Sequence, residues 1–290
     1  MASKIVKHIL GFILAIMLIF LLTLGLPDAT YQVAGAFANA TVLDHIRKEY
    51  GLDGDALTRL ESFGRGLARG ELRSLYTQEL VIPILIEKIP QSMAVVASAS
   101  VLSVLIGSGL AVLMAVSKRF RVIVSSFVGM AATVPVFVTS TLLLFMSSRI
   151  AAPLWLYAGI SLAVFPGILL STSIFGVWRE ARSASHSILS WHYGLRGFAQ
   201  VPRFIRAAPG TMAVFINAMI FFVATGLIVV EPLFGISGIG RWLLVSALRL
   251  DMPVILFIGT VLSAVAIALG LLRDLLLFYT MPGPLRSENL

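Results

Sequence analysis

Cysteine is absent from the chain and charge is scarce. Without a thiol there is no disulfide, no thiolate metal site and no cysteine nucleophile. Only 12% of the 290 residues are Asp, Glu, Lys or Arg, where a soluble domain carries roughly one quarter. That is too little charge to cover a water-facing surface. The four histidines (His8, His45, His186 and His192) are scattered without metal-like pairing. No Walker A sequence occurs, and Gly235-Ile-Ser-Gly-Ile-Gly240 has the wrong spacing for a dinucleotide fingerprint. Carboxylates do not cluster in any apolar run. No catalytic residue, no metal site and no cofactor is assigned to this chain.

Long apolar runs take the place of what is missing. A bilayer core of about 30 Å needs about 20 helical residues at about 1.5 Å each. Uncharged stretches of that order cover 9–26, 89–117, 122–148, 150–178, 207–230 and 252–272. The expected fold is all-α, a polytopic membrane protein with six transmembrane helices forming a single domain over 1–290. Proline and glycine inside the runs do not argue against this, because membrane helices tolerate both.

The net charge of +8 would suggest nucleic acid in a soluble protein. Here the basic residues lie between the apolar runs, so they orient the chain in lipid and no nucleic-acid partner is expected. With both termini cytoplasmic, the inner segments carry Lys4, Lys7, Lys118, Arg119, Arg121, Arg179, Arg182, Arg196, Arg203, Arg206, Arg273 and Arg286. The short outer loops carry only Arg149, Arg241 and Arg249. The remaining basic residues fall in 27–88, a long extracytoplasmic segment with little topological weight. Lys4 and Lys7 before an apolar run, with Ala-Phe-Ala at 36–38, also resemble a signal peptide. The run is longer than the usual apolar core and the small residues lie well beyond it, so a retained first span is expected.

Several features admit two readings. In 27–88, Leu57, Leu60, Phe63 and Leu67 follow Asp53 or Asp55 as a helix cap, which suits an amphipathic cover or a docking platform. Ala99, Ser103, Gly107, Ala111 and Ala115 recur every four residues and mark a helix contact. That contact could lie between subunits or within the chain, and the pattern does not decide. Asn217, near the middle of the fifth run, fits an interhelical hydrogen bond or a polar point on a pathway. The cytoplasmic segment 179–206 is longer than a bundle connection needs, and reads as a surface helix-turn-helix for a partner or as a basic topogenic loop.

From Val230 the chain reads Val-Glu-Pro-Leu-Phe-Gly-Ile-Ser-Gly-Ile-Gly-Arg-Trp-Leu-Leu-Val-Ser-Ala-Leu-Arg-Leu-Asp-Met-Pro-Val254. This resembles the segment between the last two helices of the dipeptide/oligopeptide/nickel ABC importer permeases. The matching positions are Val230, Glu231, Phe234, Gly238, Gly240, Arg241, Leu243, Ala247, Asp251 and Pro253. Gly70-Glu71-Leu72, Ser74, Val81, Ile86, Pro90, Ser92 and Val134-Pro135 with Phe137 also fit, and the likeness is greatest to the first of the two paired permeases. It implies an ABC importer type I permease-like fold in a bacterial inner membrane. It implies as partners a second homologous permease, two cytoplasmic ABC ATPase subunits holding ATP and magnesium, and an extracytoplasmic solute-binding protein, all within membrane lipid. It further implies ATPase coupling through 179–206, with His192-Tyr193-Gly194-Leu195-Arg196-Gly197 on the family's loop core and Arg206 on its later basic position. Tyr193 and Leu195 depart from the alanines usual there, and Pro209 and Gly210 from helix-forming residues. Candidate pathway residues are Asn217, Glu231, Arg241 and Asp251. Two rivals remain: a degenerate subunit kept for assembly or signalling, and a secondary transporter, which needs ionisable residues inside the spans.

Overall fold

Proline and glycine decide where the apolar runs break into helices. The computed structural model describes residues 2–25, 39–49, 54–150, 152–183 and 201–280, with Thr30 and Ala34. In chain order the helices are α1 (Ala2–Leu24), α2 (Ala40–Glu49), α3 (Ala56–Arg69), α4 (Val81–Val116) and α5 (Lys118–Thr133). They continue as α6 (Val136–Ser147), α7 (Leu154–Ser183), α8 (Val201–Leu233), α9 (Ile239–Leu248) and α10 (Met252–Thr280). Among the described residues the only β-type pairing is an isolated bridge between Arg73 and Leu80.

The six-helix expectation is not reached. Helices α1, α4, α7 and α10 are long and apolar enough to cross a bilayer, and α8 adds a fifth if its two limbs form one crossing. Those limbs, Pro209–Ile220 and Thr225–Leu233, meet at 55°. The expected third span, 122–148, is two helices rather than one. Pro135 has no N–H to give to the preceding turn, and it forces Val134 out of the helical region. Pro135 itself is extended at ψ 140° and starts α6, with α5 ending at Thr133. By contrast α4 runs unbroken for 36 residues through Pro90, roughly 54 Å at the usual rise.

The terminal end of the bundle is where α1 begins and α10 finishes, and the loop end lies opposite. Helices α4 and α7 run parallel and very close. Gly107 meets Gly167 O and Leu170, Gly159 meets Ala99, and a Cβ on Gly167 would press on Ile106 and Ser103 O. The Ser103 hydroxyl donates to its own turn at Ala99 O (2.7 Å) and to Ala163 O on α7 (3.1 Å). In lipid such backbone proximity matters more than apolar burial, since the tails are as apolar as the side chains. Val95, Ala99, Tyr157, Ala158, Leu162, Leu227, Val230 and Phe234 form the core beside this contact.

A second cluster closes the loop end, with Phe20 of α1, Phe63 of α3, Val81 of α4, and Val254, Phe257 and Ile258 of α10. Helix α3 is capped by Asp55, whose carboxylate accepts from Thr58 N (2.9 Å) and the Thr58 hydroxyl. These donors hold Asp55 below the usual carboxylate range. Gly70 ends the helix at φ 69°, and the amide of Glu71 returns to Gly66 O, a closure that favours glycine. Phe63, Leu60 and Leu67 pack inward, while Leu57 stays exposed. Helix α3 is therefore an amphipathic cover laid on the protein's own helices.

Candidate functional site

Two buried carboxylates organise the loop end. Helix α9 starts at Gly238, which has no side chain to cap the first amides. Glu231, from the last turn of α8, takes over that task. Its Oε2 accepts from Arg241 N at 3.0 Å, with the Gly240 amide beside it. Ser92 of α4 donates from Oγ to Glu231 Oε1 at 2.6 Å and accepts from Ile239 N at 2.8 Å. A negative group at a helix N-terminus is also favoured by the helix dipole. A Cβ on Gly238 would strike the Glu231 carboxylate, and one on Gly240 the backbone of Leu227. Those glycines are close-approach positions that let α8, α9 and α4 meet.

Asp251 performs the same work at the next corner. Its Oδ1 accepts from Leu75 N at 3.0 Å, its Oδ2 from the Ser74 hydroxyl, and the amides of Tyr76 and Val254 also point at it. One carboxylate thus caps α10 and grips the turn 74–76. Burial pushes the Asp251 carboxyl above the ordinary aspartate range, and these donors pull it back. The Arg249 guanidinium lies over the Tyr76 ring at 3.8 Å, fastening the same corner by a cation–π contact. Leu250 turns the chain at φ 55°.

Of the four residues expected on a pathway, Glu231 and Asp251 are 0% and 3% exposed and offer a solute no surface. Arg241 is exposed and donates from Nη1 to Gly235 O at 3.2 Å. Asn217 is exposed too, and accepts from Arg273 Nη1 at 2.6 Å. Arg273 also donates to Asp274 Oδ1 from Nε at 2.8 Å, and Asp274 Oδ2 pairs with His8 Nε2 at 3.1 Å. This chain of contacts ties α8, α10 and α1 together toward the terminal end. Sequence reasoning missed it, having ended the last span at residue 272.

The expected helix-contact residues Ala99, Ser103, Gly107 and Ala111 are all buried, and the partner that meets Ala99, Ser103 and Gly107 is α7 of the same chain. Tyr193, Gly194, Leu195, Arg196 and Gly197 lie outside the described residues. Arg206 falls within α8, where the helix is described but that side chain is not. No group of three or more His, Cys, Asp or Glu that could hold a metal ion occurs among the described residues.

No protein-family model matches the sequence. The chain is similar to the probable peptide ABC transporter permease protein y4tP of Sinorhizobium fredii, with 25% identity over 293 aligned residues. The alignment takes in 93% of this chain and 92% of that protein. With several apolar helices and a relative of this kind, the chain is a multi-pass membrane protein.

Proposed function

We propose that this chain is the transmembrane permease subunit of a binding-protein-dependent ABC importer, carrying a peptide or similar polar solute across a bacterial inner membrane. What supports the reading most is that the likeness to a peptide ABC transporter permease runs nearly end to end through both chains. In this reading α5 and α6 together make the third crossing, α8 the fifth, and both termini are cytoplasmic. The loop end then faces outward, toward an extracytoplasmic binding protein. A second homologous permease completes the pathway, and two cytoplasmic ATPase subunits hydrolyse ATP. This chain supplies no catalytic group. The segment 179–206, with Tyr193, Leu195 and Gly197, transmits the ATPase motion.

The secondary-transporter rival asks for ionisable groups within the spans. His8 and Asp274 are in helices, but they are spent on each other, and Asp274 also on Arg273, toward a helix end. That arrangement suits a structural tie better than a proton relay.

The decisive experiment uses the absence of native cysteine. Leu195→Cys, in the complex purified with its partners, is expected to cross-link to an ATPase subunit, while Gly197→Val lowers transport but not the hydrolysis of the isolated ATPase. No cross-link, together with normal transport by Gly197→Val, overturns the coupling role.

A further inference from the structure

The corner between α4 and α5, at the terminal end, carries positive charge that the sequence does not balance. Between Glu87 and Glu231 the chain has a single acidic residue, Glu180, while 118–121 and 179–206 together carry eight Lys and Arg. Helix α4 runs uncharged from Ile89 to Val116 and stops at Ser117, whose backbone is extended. The residues that follow therefore stand where an apolar helix leaves the bilayer. Arg121 fixes this corner: its Nε and Nη2 donate to Met114 O, each at 3.4 Å, and its guanidinium lies 4.8 Å over the Phe175 ring of α7. Met114, Val124 and Phe175 pack beneath it. Lys118 and Arg119 share the same turn but project outward, and both are exposed. Neither is paired with an acidic residue among the described residues. Apolar side chains flank them on both sides, with Val116 83% and Phe120 45% exposed, and Val112 and Ile123 exposed a turn further along each helix.

We propose that Lys118 and Arg119 hold the phosphate of an anionic phospholipid, whose acyl chains lie along the exposed apolar side chains of α4 and α5. Cations set among outward apolar residues suit the boundary of a bilayer, with stems in the tails and charges among the headgroups. A soluble acidic partner would have to cover Val116 and Phe120, whereas lipid solvates them. An anionic headgroup also supplies the countercharge that the sequence withholds, and a zwitterionic one does so less well. The inference needs only that the chain spans a bilayer, and stands apart from what the protein carries.

The test places the full chain in lipid discs of phosphatidylcholine with a minor share of phosphatidylglycerol. A fluorophore on Val112→Cys, one turn below the corner, is quenched by bromine carried on the acyl chains of one lipid or the other. Phosphatidylglycerol is expected to quench well beyond its share of the disc, and added salt should erode that enrichment by screening. Lys118→Gln with Arg119→Gln should lower it about fivefold for each cation lost, with the melting temperature in pure phosphatidylcholine unchanged. Lys118→Arg with Arg119→Lys should keep it. Lys4→Gln with Lys7→Gln removes as much charge from α1 at the same end and should leave it unaltered. Inorganic phosphate at matched ionic strength should not displace the lipid. Quenching in proportion to lipid share in the parent chain overturns the proposal and leaves the corner to an acidic protein surface. Enrichment that salt does not lower also overturns it. So does an equal loss in the Lys4 and Lys7 variant, which would make the attraction a property of the whole terminal end.

Discussion

At Glu231 three elements of the loop end, α4, α8 and α9, meet on one carboxylate. Glu231→Ala leaves the Ser92 hydroxyl and the first amides of α9 without their acceptor, in a place water does not reach. Removing one partner of such a buried, charged set costs about 2–4 kcal/mol. Glu231→Gln keeps one oxygen but turns an N–H toward other donors, so its loss should be smaller. The melting temperature of the detergent-solubilised chain is expected to fall in the order parent, Gln, Ala. An alanine variant that melts with the parent would remove the clamp from the account. Sequence reading did single out Glu231 and Asp251 as polar residues of note, and Ser74 and Ser92 as matching positions. It could not pair them. Their bonds span 139 and 177 residues, a separation at which no periodicity carries information.

Among the elements, α4 and α7 touch backbone to backbone along several turns. Gly107 lies where a side-chain carbon would come to 2.9 Å from Gly167 O, whereas Gly109, two residues on, has nothing within 4 Å of such a carbon. Gly107→Leu should destabilise the chain by at least the roughly 1–3 kcal/mol of ordinary overpacking, and Gly109→Leu should be neutral or slightly stabilising. Thermal unfolding of the two variants, compared in one detergent, checks this. Equal melting points would mean that the helices do not touch there. The four-residue rhythm was legible in the sequence because small residues on one face have one use in lipid. The identity of the partner helix was not, since Gly159, Ala163 and Gly167 show the same rhythm without saying whom they meet. The broken third run shows the opposite limit. Val134-Pro135 stood in plain view, but a proline that ends a helix and one that α4 absorbs at Pro90 look alike in a string of apolar letters. Likewise the charges at Arg273 and Asp274 suggested an end to the last span. They pair with each other and with His8 and Asn217, so the helix continues to Thr280.

Across the whole molecule, the arrangement of basic residues makes a claim about sidedness. The exposed Arg65 on α3 and Arg119 at the start of α5 lie in segments expected on opposite faces of the membrane. In this cysteine-free chain, Arg65→Cys should react with an impermeant thiol reagent in intact cells, and Arg119→Cys only after lysis. Reversed labelling would turn the orientation over, and with it the outward-facing loop end.

Helix α1 leaves most of its surface exposed, and its ties run chiefly to α10: Ile19 against Gly259, His8 against Gly270, and His8 with Asp274. The last of these joins residues 266 apart in the chain. At a synthesis rate of about 5–20 residues per second, the first helix waits roughly 13–50 s for its partner to be made. Until then the contacts with α10 are missing, and a nascent chain cut short before α10 leaves α1 without its chief partner.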